Sequence, residues 1–344
     1  MKKERTIYFD LLRIIATVFV IGIHVNSKGW YYSDVATIDW NIYNVFASIP
    51  RCAVAIFCMI SGALFLDLDK KIEIKSLYRK NILRVCTAFL FWSSVYAVLT
   101  AFTESNWNIG DIINNIINGH YHMWFLFMIV GFYIMVPIIR KIVEDRNVAK
   151  YFIILSVIIT FVILPFFSFF GFSKGTKILD NFYFDMLLGY TPYFIIGYYL
   201  HKYDVSKFMQ RVIYVLGGLA FVFTTIATAV LSNIKGEPNT VLYELLTLNI
   251  LFESLALFLM GKYIFSKIKF TPKSIKFINI LSRDTFGIYL SHVLVIEILY
   301  KLGLRTDIIT PLLSVPLITV LALVISGVFS HLLNSIPVIK KYIV

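Results

Sequence analysis

The chain has 344 residues, of which 59% are hydrophobic, 17% aromatic and only 15% charged. In an ordinary soluble domain, charged residues make up close to a quarter of all residues. The composition of this chain therefore excludes a soluble protein and predicts an all-α polytopic membrane protein. The formal net charge is +12, which in a membrane protein is expected in the cytoplasmic loops, so no nucleic-acid partner is predicted.

About ten apolar segments of roughly 20 residues each can be placed along the chain, the length that crosses a bilayer as a helix. The predicted segments are 7–25, 41–66, 85–102, 121–139, 151–170, 186–200, 212–231, 246–265, 285–304 and 312–333. The outer loops between them are too short to hold a separate enzyme. Residues 1–344 are therefore predicted to form a single transmembrane domain.

The orientation follows from the distribution of basic residues. With the N-terminus inside, most of the 32 Lys and Arg residues fall in the inner loops and at the two termini. The outer side then carries Lys28, Lys174, Lys177, Lys235, Lys301 and Arg305. This asymmetry follows the positive-inside rule and predicts both termini in the cytoplasm.

The first segment carries three polar side chains in an otherwise apolar run, Asp10, Arg13 and His24. At about 100° per residue these positions fall on one helix face, and Arg13 and His24 lie about 16 Å apart along the axis. A charge inside a bilayer is costly, so the stripe is expected to face the bundle interior. In the alternative, Asp10 and Arg13 pair at the inner interface while His24 reaches the outer one.

Two features of this helix resemble the acyltransferase-3 family of bacterial membrane enzymes. They are the run FDLLR, which ends at Arg13, and the histidine that follows it after ten residues. Members of that family move acyl groups, most often acetyl, from acyl-coenzyme A onto surface carbohydrates. Many carry an extracellular hydrolase-like domain, which is not found in these 344 residues.

The second segment places Arg51 directly after Pro50, well inside the membrane. An arginine in that position rarely gains stability from packing alone, so a functional role is predicted. Ser61 and Gly62 are typical of close helix contacts, but the run FCMISGALF also resembles the family's F-x-x-S-G stretch. The basic run 78–84 that follows is predicted to lie at the membrane surface, where some of its arginines would meet donor phosphates.

The fourth segment begins with His120, His122 and Trp124 at its outer end. An interfacial aromatic belt would explain the tryptophan without any function. The His-x-His pair suggests a metal, but no third ligand follows at a suitable spacing, and no metal is expected. The run HMWFL resembles another motif of the same family.

The sixth and eighth segments carry further polar or small residues in apolar surroundings. Pro192 and Gly197 are predicted to kink the sixth helix or to pack it closely against a neighbour. In the eighth, Glu253 either handles a proton or supplies the counter-charge to Arg51, and the sequence leaves both interpretations open.

The ninth segment begins SRDTFGIYLSH. Ser282 and Asp284 are expected at the helix N-cap, while Tyr289 and His292 are three residues apart and share a face. A single buried histidine is usually structural, yet this run resembles the last recognisable acyltransferase-3 motif. The resemblance therefore extends from the first predicted segment to the ninth.

This resemblance implies a mechanism. Acyl transfer to a sugar hydroxyl needs a base and stabilisation of a thioester oxyanion, and His24 is assigned as the base. Asp10 is too far along the helix to orient His24, so it is expected to pair with Arg13 as part of the same catalytic seam. Ser282, Tyr289, His292, His122, Trp124 and Glu253 are assigned to substrate binding or support. Direct transfer and an acyl-histidine intermediate both remain open.

The donor is expected to be acyl-coenzyme A, with acetyl-coenzyme A the default. Its anionic end would be drawn from the cytoplasm by four arginines, Arg13, Arg51, Arg79 and Arg84. The expected acceptor is a cell-surface glycan or a lipid-linked sugar, and membrane lipids surround the protein in a bacterial plasma membrane. The alternative function is a transporter or flippase for a polysaccharide precursor, because intramembrane charges also mark transport pathways.

Overall fold

The described part of the chain is helical throughout, with no strand. A computed structural model describes residues 6–105, 107–171, 181 and 189–344. Its α-helices are α1 (Ile7–Tyr32), α2 (Ile38–Ser48), α3 (Ala53–Phe65), α4 (Ile74–Ser76), α5 (Leu83–Glu104), α6 (Ile109–Asn118), α7 (Trp124–Glu144), α8 (Arg146–Ser156), α9 (Leu164–Phe169), α10 (Thr191–Lys202), α11 (Lys207–Lys235), α12 (Leu248–Tyr263), α13 (Pro272–Lys301), α14 (Pro311–Ser335) and α15 (Pro337–Tyr342). The predicted all-α membrane fold is confirmed.

Among the described residues, eight helical stretches are long and apolar enough to cross a membrane. They are Ile7–Tyr32, Ile38–Phe65, Ile74–Glu104, Ile109–Glu144, Arg146–Phe169, Lys207–Lys235, Val241–Lys267 and Pro311–Ser335. These stretches coincide with eight of the ten predicted segments. The chain is a multi-pass membrane protein.

The two other predicted segments correspond to α10 and α13. The α10 helix has 12 residues, too few to cross a bilayer. The predicted start of that segment, 186–188, lies outside the described residues, as do Lys174 and Lys177. The α13 helix has 30 residues and carries charges at both ends.

The count of ten membrane spans and the cytoplasmic position of the termini stay predictions. The words "inner" and "outer" below follow the predicted orientation.

The prediction of an N-cap at Ser282 and Asp284 is wrong. The α13 helix begins at Pro272, and the Thr271 side chain accepts a hydrogen bond from the Ser274 backbone N–H. Thr271 and Pro272 form the usual start of a helix, so the helix extends more than two turns before Ser282. Ser282 and Asp284 are instead buried within it.

The first helix lies at the centre of the bundle. α1 packs against α2, α3, α12, α13 and α14, and its buried residues include the charged Asp10. Its polar stripe therefore faces protein, as the cost of exposing charge to lipid requires.

The second predicted segment is interrupted at Arg51. α2 and α3 are joined by a 3₁₀ turn, Ile49–Cys52, which contains Pro50. Proline cannot donate a backbone hydrogen bond, so the regular α-helical pattern is broken there. The Arg51 Nε donates a hydrogen bond to the Ala47 carbonyl oxygen at 2.9 Å. This bond holds the arginine side chain against the last turn of α2.

Two glycines allow α3 and α10 to cross closely. A Cβ atom at Gly62 would collide with the Phe194 carbonyl oxygen, and one at Gly197 would collide with the Met59 backbone. Close packing explains Gly197, while Pro192 lies in the first turn of α10. This contact holds α10 against the core although the helix is short.

We predict that Gly62→Ala and Gly197→Ala each lower the thermal unfolding midpoint of the purified protein by several degrees. Overpacking of this kind costs about 1–3 kcal/mol. Gly218→Ala is the matched control, because nothing lies within 4 Å of a Cβ placed at Gly218 in α11. An unchanged midpoint in both crossing variants would contradict the contact.

Candidate active site

Four histidines from three parts of the chain meet at the outer end of the bundle. His24 comes from α1, His292 from α13, and His120 and His122 from the turn that precedes α7. The His24 ring centroid lies 5.0 Å from that of His292 and 6.1 Å from that of His122. The His122 and His292 centroids are 5.3 Å apart. We call these four residues the histidine cluster.

Backbone contacts fix the orientation of the buried members of this cluster. His292 Nδ1 lies 2.6 Å from the Tyr289 carbonyl oxygen, which can only accept, so Nδ1 carries the proton. The Tyr289 hydroxyl donates to the His122 carbonyl oxygen. The Nε2 atoms of His122 and His292 have no hydrogen-bond partner among the described residues, although both side chains are buried. Such unpaired nitrogens are costly and typical of a site that receives a ligand group.

His24 lines a cavity at the outer end of the bundle. Its Nδ1 lies 3.4 Å from the Tyr121 hydroxyl. This outer cavity has a volume of about 350 Å³ and is also lined by Arg51, His122, Trp124 and Glu244. It combines imidazoles, a guanidinium and aromatic rings, a set suited to an acyl group and its developing negative charge.

Arg51 is held in the outer cavity by contacts other than an ion pair. Its guanidinium carbon lies 3.8 Å from the centroid of the Tyr243 ring, a cation–π geometry. The Tyr243 hydroxyl donates to the Asn44 side-chain oxygen at 2.6 Å. Arg51 therefore lies with His24, at the end of the bundle opposite Arg13.

Glu253 is buried behind this cavity. Its carboxylate accepts a hydrogen bond from Thr224 at 3.1 Å, and Thr224 in turn accepts from Asn249 at 2.8 Å. Within the described part of the chain, no salt bridge joins Glu253 to Arg51.

A second cavity, the inner cavity, opens at the end that carries Arg13. Its volume is about 400 Å³, and three arginines line it together with Asn81 and Ser282. The arginines are Arg13, Arg84 and Arg283. Guanidinium groups match phosphate oxygens in geometry and charge, so this cavity suits a polyanionic group.

The buried carboxylate of Asp10 positions one of the arginines that line the inner cavity. Asp10 pairs with Arg13 at 3.5 Å, as expected from the sequence, and accepts a hydrogen bond from Ser282 at 2.6 Å. The second contact links α1 to α13. Asp10 thereby positions Arg13 without lying near His24.

Three aromatic side chains separate the two cavities. Phe57, Phe125 and Tyr289 line both of them. The Phe125 ring centroid lies 5.8 Å from that of Phe57 and 5.8 Å from that of Tyr289. This aromatic wall is thin, because the same side chains form a surface of each cavity.

The two other predicted donor-binding arginines have different surroundings. Arg84 lines the inner cavity, and its Nη2 donates to the Val344 carbonyl oxygen at 2.7 Å. Arg79 is exposed on the π-helical turn Leu77–Ile82 and is not among the residues that line the inner cavity. The structure therefore groups Arg13 with Arg84 and leaves Arg79 at the surface.

Four residues that have no role predicted from the sequence lie at the inner cavity or within and beside the histidine cluster. They are His120, Tyr121, Asn81 and Arg283. Asn81 and Arg84 are three residues apart and share a helix face, a spacing that could have identified Asn81. His120 was visible only as half of a His-x-His pair. In the described residues no group of three or more His, Cys, Asp or Glu side chains has metal-binding geometry.

The profile of the acyltransferase-3 family, described as an acyltransferase domain, matches residues 6–331. A search of curated proteins found no match, and neither did a search of solved structures. The family resemblance carried by the motifs is confirmed over nearly the whole chain.

Proposed function

Because the chain belongs to the acyltransferase-3 family, and is therefore a membrane acyltransferase, we propose that it transfers an acetyl group from cytoplasmic acetyl-coenzyme A to a hydroxyl of an exported carbohydrate. The proposed location is the bacterial plasma membrane. The observation that carries the proposal is the pair of cavities, one lined by arginines and one by histidines, that share the aromatic wall.

The inner cavity is proposed to bind the anionic end of the donor. Arg13, Arg84 and Arg283 line it. Arg13 pairs with Asp10 and Arg283 with Asp284, and neither carboxylate is among the described residues of the lining. Coenzyme A carries its phosphates at one end and its thioester at the end of a flexible arm. Phosphates held near Arg13 would leave that arm directed at the aromatic wall.

The outer cavity is proposed to bind the thioester. Arg13 and His24 lie about 16 Å apart along α1, a separation that the flexible arm must span by passing between Phe57, Phe125 and Tyr289. The apolar rings suit the uncharged arm and exclude water from the thioester. This arrangement explains why the phosphate-binding and proton-transferring residues occur three turns apart on one helix.

The chemical step uses the residues of the outer cavity. The acceptor oxygen forms a bond to the thioester carbonyl carbon, and His24 takes the hydroxyl proton. Arg51 stabilises the negative charge on the carbonyl oxygen. The carbon–sulfur bond then breaks, and the sulfur of coenzyme A takes up the proton from His24. His292 and His122 pack against His24 and hold its ring in this position.

We predict that His24→Ala lowers acyl transfer by about 10²- to 10⁴-fold, the range for removal of a general base. Donor binding should survive, because His24 does not line the inner cavity. Transfer from radiolabelled acetyl-coenzyme A to a cell-wall glycan extract measures the first effect, and calorimetric titration of donor measures the second. The matched control is Ser27→Ala, one turn further along α1, where the hydroxyl donates only to the His24 carbonyl oxygen. Normal transfer by His24→Ala would remove the assigned base.

We predict that Arg13→Ala raises the KM for acetyl-coenzyme A by about 10- to 100-fold, the loss expected for a hydrogen bond to a charged group. Arg211→Ala is the control, since Arg211 is exposed on α11 and lines neither cavity. Initial rates of free coenzyme A release at varied donor concentration provide the KM. An Arg13→Ala enzyme with the wild-type KM would show that the phosphates bind elsewhere.

A further inference from the structure

A third cavity lies at the outer end of the bundle, on the other side of the histidine cluster. This side cleft has a volume of about 530 Å³ and is lined by the outer ends of α1, α5 and α13. The residues that line it and matter here are Lys28, Tyr96, Glu104, His120, Glu297 and Lys301. None of them lines the outer cavity that contains His24.

The side cleft meets the outer cavity at two histidines. His120 lines the side cleft, and its Nδ1 lies 3.0 Å from Nδ1 of His122, which lines the outer cavity. The His120 ring is stacked on Tyr96 with centroids 4.4 Å apart. His120 therefore faces the side cleft while His24 and His122 face the outer cavity, so two substrates can reach the cluster from opposite sides.

The chemistry of the side cleft differs from that of the outer cavity. Lys28, Lys301 and the half-buried Glu297 line the side cleft together, and Glu104, Thr100 and Thr103 add acceptors and hydroxyls. The positively and negatively charged side chains offer hydrogen-bond donors and acceptors side by side. This combination suits sugar hydroxyls, because each hydroxyl both donates and accepts hydrogen bonds. The rings of Tyr96 and Tyr300 add apolar surface.

We propose that the side cleft binds the carbohydrate acceptor and presents its reactive hydroxyl to the histidine cluster past His120. The proposal rests on the acyl transfer proposed above and adds the place where the second substrate binds. Donor and acceptor then occupy separate cavities, and the new oxygen–carbon bond forms where the two cavities meet. Lys28, Glu297 and Lys301 hold the sugar, and they take no part in donor binding.

Blocking the side cleft with a bulky group attached to an introduced cysteine tests this assignment, because the same folded protein is compared before and after labelling. Thr103→Cys places a thiol in the side cleft, and Asn233→Cys places one on an exposed site of α11 away from it. Each protein is treated with a bulky, membrane-impermeant methanethiosulfonate reagent. The wild-type protein, in which Cys52 and Cys58 are buried and Cys86 is half-buried, is treated in parallel to measure any reaction at the native cysteines.

We expect the reagent to lower label transfer from acetyl-coenzyme A to the glycan extract by at least about tenfold in Thr103→Cys, and to leave donor affinity unchanged. Treated Asn233→Cys and wild-type proteins should transfer normally. Undiminished transfer by fully labelled Thr103→Cys would overturn the proposed acceptor site. Failure of the untreated wild type to consume the donor would instead overturn the acyl transfer itself.

Glu297→Gln gives an independent measurement with little change in shape. Loss of a charged acceptor of hydroxyl hydrogen bonds should raise the glycan concentration for half-maximal transfer by about tenfold, with the donor KM unchanged. Glu237→Gln is the control, because Glu237 is exposed and pairs with Lys235 on another outer loop. A shift in the donor KM alone, or equal effects in both variants, would contradict a sugar site at Glu297.

Discussion

The buried carboxylate of Asp10 is the contact on which the rest of the structure depends. A carboxylate inside a membrane protein needs partners, and Asp10 obtains them from Arg13 on its own helix and Ser282 on α13. The same two helices meet again at the outer end, where the rings of His24 and His292 are in contact. Because α1 lies at the centre of the bundle, the polar side chains at both of its ends have partners within the protein.

In the proposed reaction, the separation of the two ends lets one protein hold groups of very different polarity. Phosphates are compatible with a basic inner cavity but not with a dry membrane interior, whereas a thioester reacts best where water is excluded. The aromatic wall of Phe57, Phe125 and Tyr289 divides these environments. Arg51, which follows the break at Pro50, lies in the outer cavity with His24 and is not among the described residues that line the basic inner cavity.

The sequence predicted the spans and the polar stripe because both follow from regular helix geometry and from the cost of burying charge in lipid. A single sequence does not show which residues distant along the chain come into contact. The contact between Asp10 and Ser282 and the position of His120 beside His122 could therefore not be predicted. The N-cap error at Ser282 arose because a polar run inside a long helix resembles a helix start. Arg51 was grouped with the donor-binding arginines since composition alone does not show which way a side chain points from a broken helix.

The most direct test of the account is the sidedness of transfer in sealed proteoliposomes of uniform orientation. Radiolabelled acetyl-coenzyme A is supplied only on the side of the Arg13 cavity, and the glycan extract only on the side of His24. Label is expected to appear on the glycan across the membrane while coenzyme A stays on the side of the donor. Transfer that occurs only when donor and glycan share one side would contradict an acyl path through the aromatic wall.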